Sequence, residues 1–178
     1  MGLVTGSNYG GDMSKGRPDF TLESQLCFAL HAASRAMAGC YRPLLAEIGL
    51  TYSQYLVMLV LWESEVATVG DLGRRLYLDS ATLSPLVKRL EAQGLVDRDR
   101  RTADERVVEV RLTSAGRRLE AHAAQVQSSV QRATGLAQAD LVTLRQNLNV
   151  LAATLRDVGT AGGVPAADDP SVEDAQTA

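Results

Sequence analysis

Apolar residues recur along most of this chain at helical spacing. Leu22, Leu26, Leu30, Ala33 and Met37 lie three or four positions apart and predict an amphipathic helix ending near Gly39. Pro43 suits the first turn of a short second helix, where a missing N–H is no loss. Ser53 to Trp62, rich in Leu and Val, predicts a buried helix; Tyr55 to Trp62 alone also suits a strand, and the context favours helix. Thr68 with Asp71 makes a start like a capping box, with Asp where Glu is preferred. Leu72 and Leu76 then face inward, and Tyr77-Leu78-Asp79 forms a turn. Asp79 or Ser80 caps the next helix, whose buried side is Leu83, Leu86, Val87 and Leu90, and Gly94 closes it.

Leu95 to Asp99 and Arg106 to Leu112 read as short strands around Arg100 to Glu105, which is polar apart from Ala103: a hairpin with a charged tip. From Thr113 the spacing is helical again. Leu119, Ala123, Val126, Val130, Ala133 and Ala137 form one seam; after a break near Gly135, Leu141, Leu144, Leu148, Leu151 and Leu155 form another. Two heptad-like seams exceed what one small domain needs and point to a partner helix, with an intramolecular helical hairpin as the alternative. The folded domain is expected over residues 20–158. It is flanked by a disordered N-terminal arm, 1–19, with five glycines in its first 17 residues, and by a disordered acidic tail, 159–178.

Composition narrows the class. At 178 residues, with 46% apolar but only 4% aromatic residues, the core must be built from Leu, Val and Ala, which favours helices. The longest apolar run, Tyr55 to Trp62, is far short of a membrane span, and Met1 to Gly16 lacks the apolar stretch of a signal peptide. A cytoplasmic protein without a membrane partner is expected. Cys27 and Cys40 make neither a disulfide framework nor a metal-ligand spacing, and His31 and His122 are too scattered for a zinc site. No cofactor and no metal are expected.

The net charge of −3 argues at first against nucleic acid, but location outweighs the total. Four acids, Asp168, Asp169, Glu173 and Asp174, sit in the tail without a base, so removing their charge from −3 leaves +1 for the rest. Thr68 to Arg118 carries eleven Lys and Arg against eight acids. Two short helices joined by a tight turn and followed by a charged hairpin are the parts of a winged helix-turn-helix, with the DNA-binding part at about 68–112. On the second helix the side opposite Leu83, Leu86 and Leu90 offers Ser80, Thr82, Ser84, Lys88 and Arg89. Small hydroxyls near the helix start can approach bases or phosphates, and the two cations can neutralise backbone phosphates. Pro85 within this helix is a defect by propensity. At the hairpin tip, Asp104 two residues before Arg106 can pin that guanidinium for the minor groove.

Leu76 to Leu86, Lys88-Arg89-Leu90-Glu91, Gly94-Leu95-Val96, Arg98 to Arg106 and Leu112 to Gly116 together resemble the MarR family of transcription regulators, and the likeness runs from about Phe20 to Val158. That resemblance implies a mainly α fold with a small β-hairpin wing: a winged helix-turn-helix, dimeric through its N- and C-terminal helices. It also implies a counterpart of Pro85 within the recognition helix, double-stranded DNA with an inverted-repeat operator as partner, and no enzymatic activity.

Leu22-Glu23-Ser24-Gln25-Leu26-Cys27-Phe28, Tyr41 to Leu45 and Thr51 to Leu56 resemble one subgroup, the organic hydroperoxide resistance repressors. The resemblance makes Cys27 the peroxide-reactive thiol and Tyr41 and Tyr52 its hydrogen-bond partners. His31 stands where the subgroup has a third tyrosine. One turn after Cys27 it shares that face of the helix, and protonated it would favour a thiolate. Some subgroup members carry a second, resolving cysteine on late helices; here no Cys follows residue 40. On an unbroken helix Cys40 lies roughly 20 Å from Cys27, too far for a bridge. A one-cysteine mode is expected: sulfenic acid, then a mixed disulfide with a low-molecular-weight thiol or overoxidation. The competing readings are a MarR-type repressor released by a small apolar or phenolic ligand, a thiol peroxidase, and a helical interaction protein.

Overall fold

The computed structural model describes residues 20–100 and 107–160. The chain divides into two compact units at Val126 and Gln127, within one helix.

The first unit opens with a single 3-10 turn, Leu22–Ser24, and then α1, Leu26–Glu47. This corrects two expectations. Leu22 lies outside the helix, and the helix neither ends near Gly39 nor restarts at Pro43 but runs through both. Pro43 removes one backbone bond, yet Leu45 behind it is completely buried, and Leu44 and Ile48 pack against the same core. Tertiary packing outweighs the local breaker.

Helix α2, Tyr52–Ser64, starts at a full capping box. Thr51 Oγ1 accepts from the Gln54 amide at 3.3 Å, and Gln54 Oε1 accepts from the Thr51 amide at 2.8 Å. Strand β1, Val66–Thr68, follows directly, then α3, Val69–Leu76, and α4, Ser80–Ala92. Strands β2, Val96–Arg100, and β3, Val108–Leu112, form the expected hairpin. The sheet has three antiparallel strands in the order β1-β3-β2, with Ala67 and Arg98 both opposite Val110. Strand β1 was not anticipated; three residues are too few to display an alternation.

Helix α5, Ser114–Ala133, contributes Ala123 and Val126 to the core of this unit. That core gathers Tyr55, Val57, Met58 and Leu61 of α2, Leu72 of α3, Leu83, Val87 and Leu90 of α4, and Val96, Val110 and Leu112 of the sheet. The second unit holds the end of α5, a break at Gly135, where it was expected, and α6, Gln138–Thr160. On α6, Leu144, Leu148 and Leu155 are exposed in the single chain. No single helix among the described residues is long and apolar enough to cross a membrane. The expected arm 1–19 lies outside the described residues, as does the expected tail 159–178 from residue 161 on; its first two residues, 159 and 160, belong to α6.

One close approach ties α5 to the wing. Trp62 Nε1 donates to the Gly116 carbonyl at 2.9 Å, and a Cβ on Gly116 would stand 2.2 Å from the Leu95 carbonyl oxygen and 3.0 Å from Leu112 Cδ2. Backbone cannot yield as a flexible side chain can. Gly116→Ala is therefore expected to destabilise the fold by about 1–3 kcal/mol, read as a lower denaturation midpoint in urea.

Candidate nucleic-acid interface and thiol site

The helix-turn-helix is written in local hydrogen bonds. Thr68 and Asp71 exchange backbone-to-side-chain bonds at 3.0 and 3.2 Å, the capping box expected there. The Thr68 hydroxyl, which donates to the Asp71 carboxylate at 2.7 Å, then the Thr68 amide and the nearby Arg74 hold that carboxyl below the ordinary carboxylate range. Helix α3 ends with Tyr77 in the left-handed region (φ 57°), and the Leu78 amide returns to the Gly73 carbonyl at 3.1 Å. Only glycine fits at position 73, because a Cβ would lie 2.8 Å from the Leu78 oxygen. Asp79 then caps α4, accepting from the Thr82 amide at 2.6 Å, and this bond keeps its carboxyl ionised below the usual range.

Helix α4 turns Leu83, Val87 and Leu90 into the core. Ser80, Pro85, Lys88 and Arg89 are exposed, with Thr82 and Ser84 half-buried beside them. The Ser84 hydroxyl donates to the Ser80 carbonyl at 2.7 Å, which leaves its oxygen free to accept. Pro85 lies in the second turn on the exposed side, where water can satisfy the Ala81 carbonyl that proline leaves unpaired.

The cations of this region fall into two groups. Arg74 pairs with Asp71, Arg75 with Glu63, Arg98 with Glu91 at 2.7 Å, and Arg117 with Glu65 at 2.6 Å. Lys88 and Arg89 have no ion-pair partner among the described residues. Asp104 and Arg106 at the wing tip lie outside the described residues.

Cys27 and His31 sit one turn apart near the start of α1, both exposed in the single chain. Phe20, Leu22 and Leu26 beside them are more than half exposed. Tyr41 and Tyr52 are brought together, with ring centroids 5.3 Å apart, but not next to Cys27. Tyr41 lies on the same unbroken helix as Cys27, fourteen residues on, hence about 21 Å away along its axis. Cys40 is also an exposed thiol.

Sequence reasoning missed Tyr55. Its side chain is only 2% exposed, and its ring lies 5.4 Å from that of Tyr41. The available signal was the i, i+3 spacing of Tyr52 and Tyr55 on one helix face, which the apolar reading of α2 absorbed. Burial raises all three phenols above their ordinary value, and Tyr55 is raised most. All three therefore stay protonated at neutral pH.

Two short helices around a tight turn, a second helix with free cations on its outer side, and a β-hairpin behind it define a winged helix-turn-helix regulator. A family model described as transcriptional regulator SarA/Rot matches residues 40–122. The organic hydroperoxide resistance transcriptional regulator of Bacillus subtilis (strain 168) is 45% identical over 134 residues, 75% of this chain and 91% of that one. The regulator TtmR of Methylorubrum extorquens (strain PA1) is 48% identical over 137 residues, covering 77% and 68%. Among solved structures, AbfR of Staphylococcus epidermidis is similar in three states: reduced on DNA (TM-score 0.68, 37% identity, 77% of this chain and 94% of that), overoxidised on DNA (0.63, 36%, 75% and 94%) and disulfide-formed (0.56, 36%, 77% and 91%). The chain belongs to the MarR family of DNA-binding transcription regulators, in the branch of the organic hydroperoxide resistance regulators. It is a regulator and not an enzyme.

The tyrosine cluster gives stability a definite alkaline limit. The unfolded phenols ionise near pH 10, whereas the folded ones hold their protons to higher pH. Their contribution is full below that point and is lost as pH rises through the folded-state values. Unfolding free energy, measured by denaturant titration between about pH 9 and about pH 11, is expected to fall, and to fall less in Tyr55→Phe.

Proposed function

We propose that the protein is a cytoplasmic homodimeric repressor that binds an inverted-repeat operator and releases it when an organic hydroperoxide oxidises Cys27. The observation that carries this reading is the separation along α1: an exposed thiol among uncovered apolar side chains at one end, and protonated phenols at the other. A two-fold dimer resolves it. In an isologous interface each contact is made twice, so Tyr41 and Tyr52 of one copy can donate to the Cys27 thiolate of the other, while His31 shares the face of the thiol. The exposed leucines of α6 supply the second dimer seam.

The chemistry uses one peroxide and one small thiol. The Cys27 thiolate attacks the terminal peroxide oxygen; the S–O bond forms as the O–O bond breaks, and the leaving alkoxide takes up a proton to become an alcohol. A thiol of low molecular weight then attacks the sulfenic sulfur, forming a mixed disulfide and releasing water. AbfR has been seen on DNA in an overoxidised state. For this chain, release is therefore assigned to the mixed disulfide, whose added bulk cannot share the space of the phenols. Displacement of α1 then moves the paired recognition helices away from the spacing of successive major grooves.

On DNA, the hydroxyls of Ser80, Thr82 and Ser84 face base edges or phosphates next to Pro85, Lys88 and Arg89 neutralise the backbone, and Asp104 steers Arg106 into the minor groove. With a duplex selected from a random library by the reduced protein, cumene hydroperoxide plus a small thiol is expected to weaken binding of wild type by roughly 5–150-fold and to leave Cys27→Ser unaffected. An equal response by both proteins overturns the redox reading and turns attention to release by an apolar ligand. Lys88→Ala is expected to lower the slope of log affinity against log salt by about 0.9, one released counterion.

A further inference from the structure

Among the described residues two that are not glycine hold a left-handed backbone, Glu65 (φ 63°) and Tyr77 (φ 57°). That region crowds the Cβ of any L-residue, so an outlier there asks for a physical reason. Glu65 has one within the fold: its carbonyl accepts from the Leu112 amide at 3.0 Å, and its carboxylate holds Arg117 at 2.6 Å. Tyr77 ends α3, where glycine or asparagine is the usual choice, and it is 68% exposed. A ring so placed removes little apolar surface from water, and the core does not account for it. Its surroundings do. Tyr77 stands just before α4 and walls an open groove of about 610 Å³ with Val69, Gly70 and Gly73 of α3 and with Asp79 and Ser80. Ser80 belongs both to this groove and to the exposed side of α4 assigned to DNA, so the groove continues that surface.

We propose that Tyr77 is a contact to the DNA backbone. With α4 in the major groove, its ring lies against a deoxyribose and its hydroxyl donates to a phosphate oxygen of the strand seated in this groove. This rests on the reading of α4 as the recognition helix given above. Many direct protein–DNA hydrogen bonds go to phosphate and sugar, with tyrosine hydroxyls among the donors, and such contacts fix register without reading sequence. A phenol hydroxyl is also an uncharged donor, so it displaces no counterion, unlike the ammonium of Lys88. The left-handed backbone is what turns the ring out of the core and places it beside the start of the recognition helix.

The test uses full-length reduced protein: wild type, Tyr77→Phe, Tyr77→Asn and Tyr77→Gly. Each is titrated against a duplex selected from a random library and against a scrambled duplex of the same composition. Asparagine and glycine accept the left-handed backbone, so both keep the turn into α4. Tyr77→Phe keeps the ring and is expected to bind roughly tenfold more weakly, the scale of one hydrogen bond to a charged group. Tyr77→Asn and Tyr77→Gly should lose more than that, while their urea midpoints are no lower than that of wild type. The slope of log affinity against log salt should not change, and the loss should be equal on the two duplexes. A loss confined to the selected duplex would make Tyr77 a reader of bases and overturn the proposal. So would a shallower salt slope, a fall in the urea midpoints of the Asn and Gly variants, or variants that bind as tightly as wild type. If wild type itself binds no duplex, the recognition-helix reading falls and this proposal with it, whereas a binding wild type with indifferent variants sinks the Tyr77 contact alone.

Discussion

Helix α2 is the constraint on which the rest of the molecule depends. Val57, Met58 and Leu61 are completely shielded from solvent, and Gln54, Tyr55 and Val60 nearly so. A helix apolar on almost every side has to be surrounded, and here α1, α3, α4, β1 and β3 all pack against it. Each fully buried apolar side chain contributes about 1.5–3 kcal/mol, so the energy that fixes α2 also fixes where its neighbours stand. The recognition helix is thereby attached to the same element as the phenols. Tyr52 and Tyr55 occupy the first turn of α2, and Gln54 between them donates from its Nε2 to Gln93 Oε1, just beyond α4, at 3.2 Å.

What could be read from the sequence follows the range of the interactions involved. The caps of α3 and α4 are bonds between residues three apart, so Thr68 with Asp71 and Asp79 with Thr82 announced themselves. The hairpin, the break at Gly135 and the buried side of α4 were equally local. Strand β1 was invisible because it exists only through its pairing with β3, more than forty residues later. The continuity of α1 was misread for the opposite reason: Gly39 and Pro43 are local breakers, and the packing of Leu44, Leu45 and Ile48 that overrides them is not local. Tyr55 looked like one more apolar position; its hydroxyl gains meaning only from a ring fourteen residues earlier on a different helix.

Net charge was a poor guide to the proposed DNA face because most of the described arginines of the region, Arg111 with Glu109 at 4.0 Å included, have carboxylate partners. Arg74, Arg75, Arg98 and Arg117 each hold parts of the fold together, and their charge is largely neutralised where it stands. Lys88 and Arg89 differ in lying on the outer side of α4 without an ion-pair partner among the described residues. Counterion release depends on such free cations and not on the total, so a chain with a net charge of −3 is well able to bind a polyanion.

For the proposed event at Cys27, the unbroken α1 offers a path to the turn after Glu47. Twenty-two helical residues make a rod about 33 Å long, and a hinge at Gly39 or Pro43 would have absorbed a displacement before it travelled. Without one, a movement near Cys27 would be carried to the turn that follows Glu47. There the Gly49 carbonyl accepts from Gln93 Nε2 at 2.9 Å, and Gln93 caps the C-terminal end of α4. A long helix whose following turn is hydrogen-bonded to Gln93, at the end of α4, leaves little room for α1 to move alone. Gln93 thus joins the turn after α1 to the end of α4, and through Gln54 to α2, so the continuity that sequence punctuation concealed would couple the proposed thiol site to the proposed DNA face.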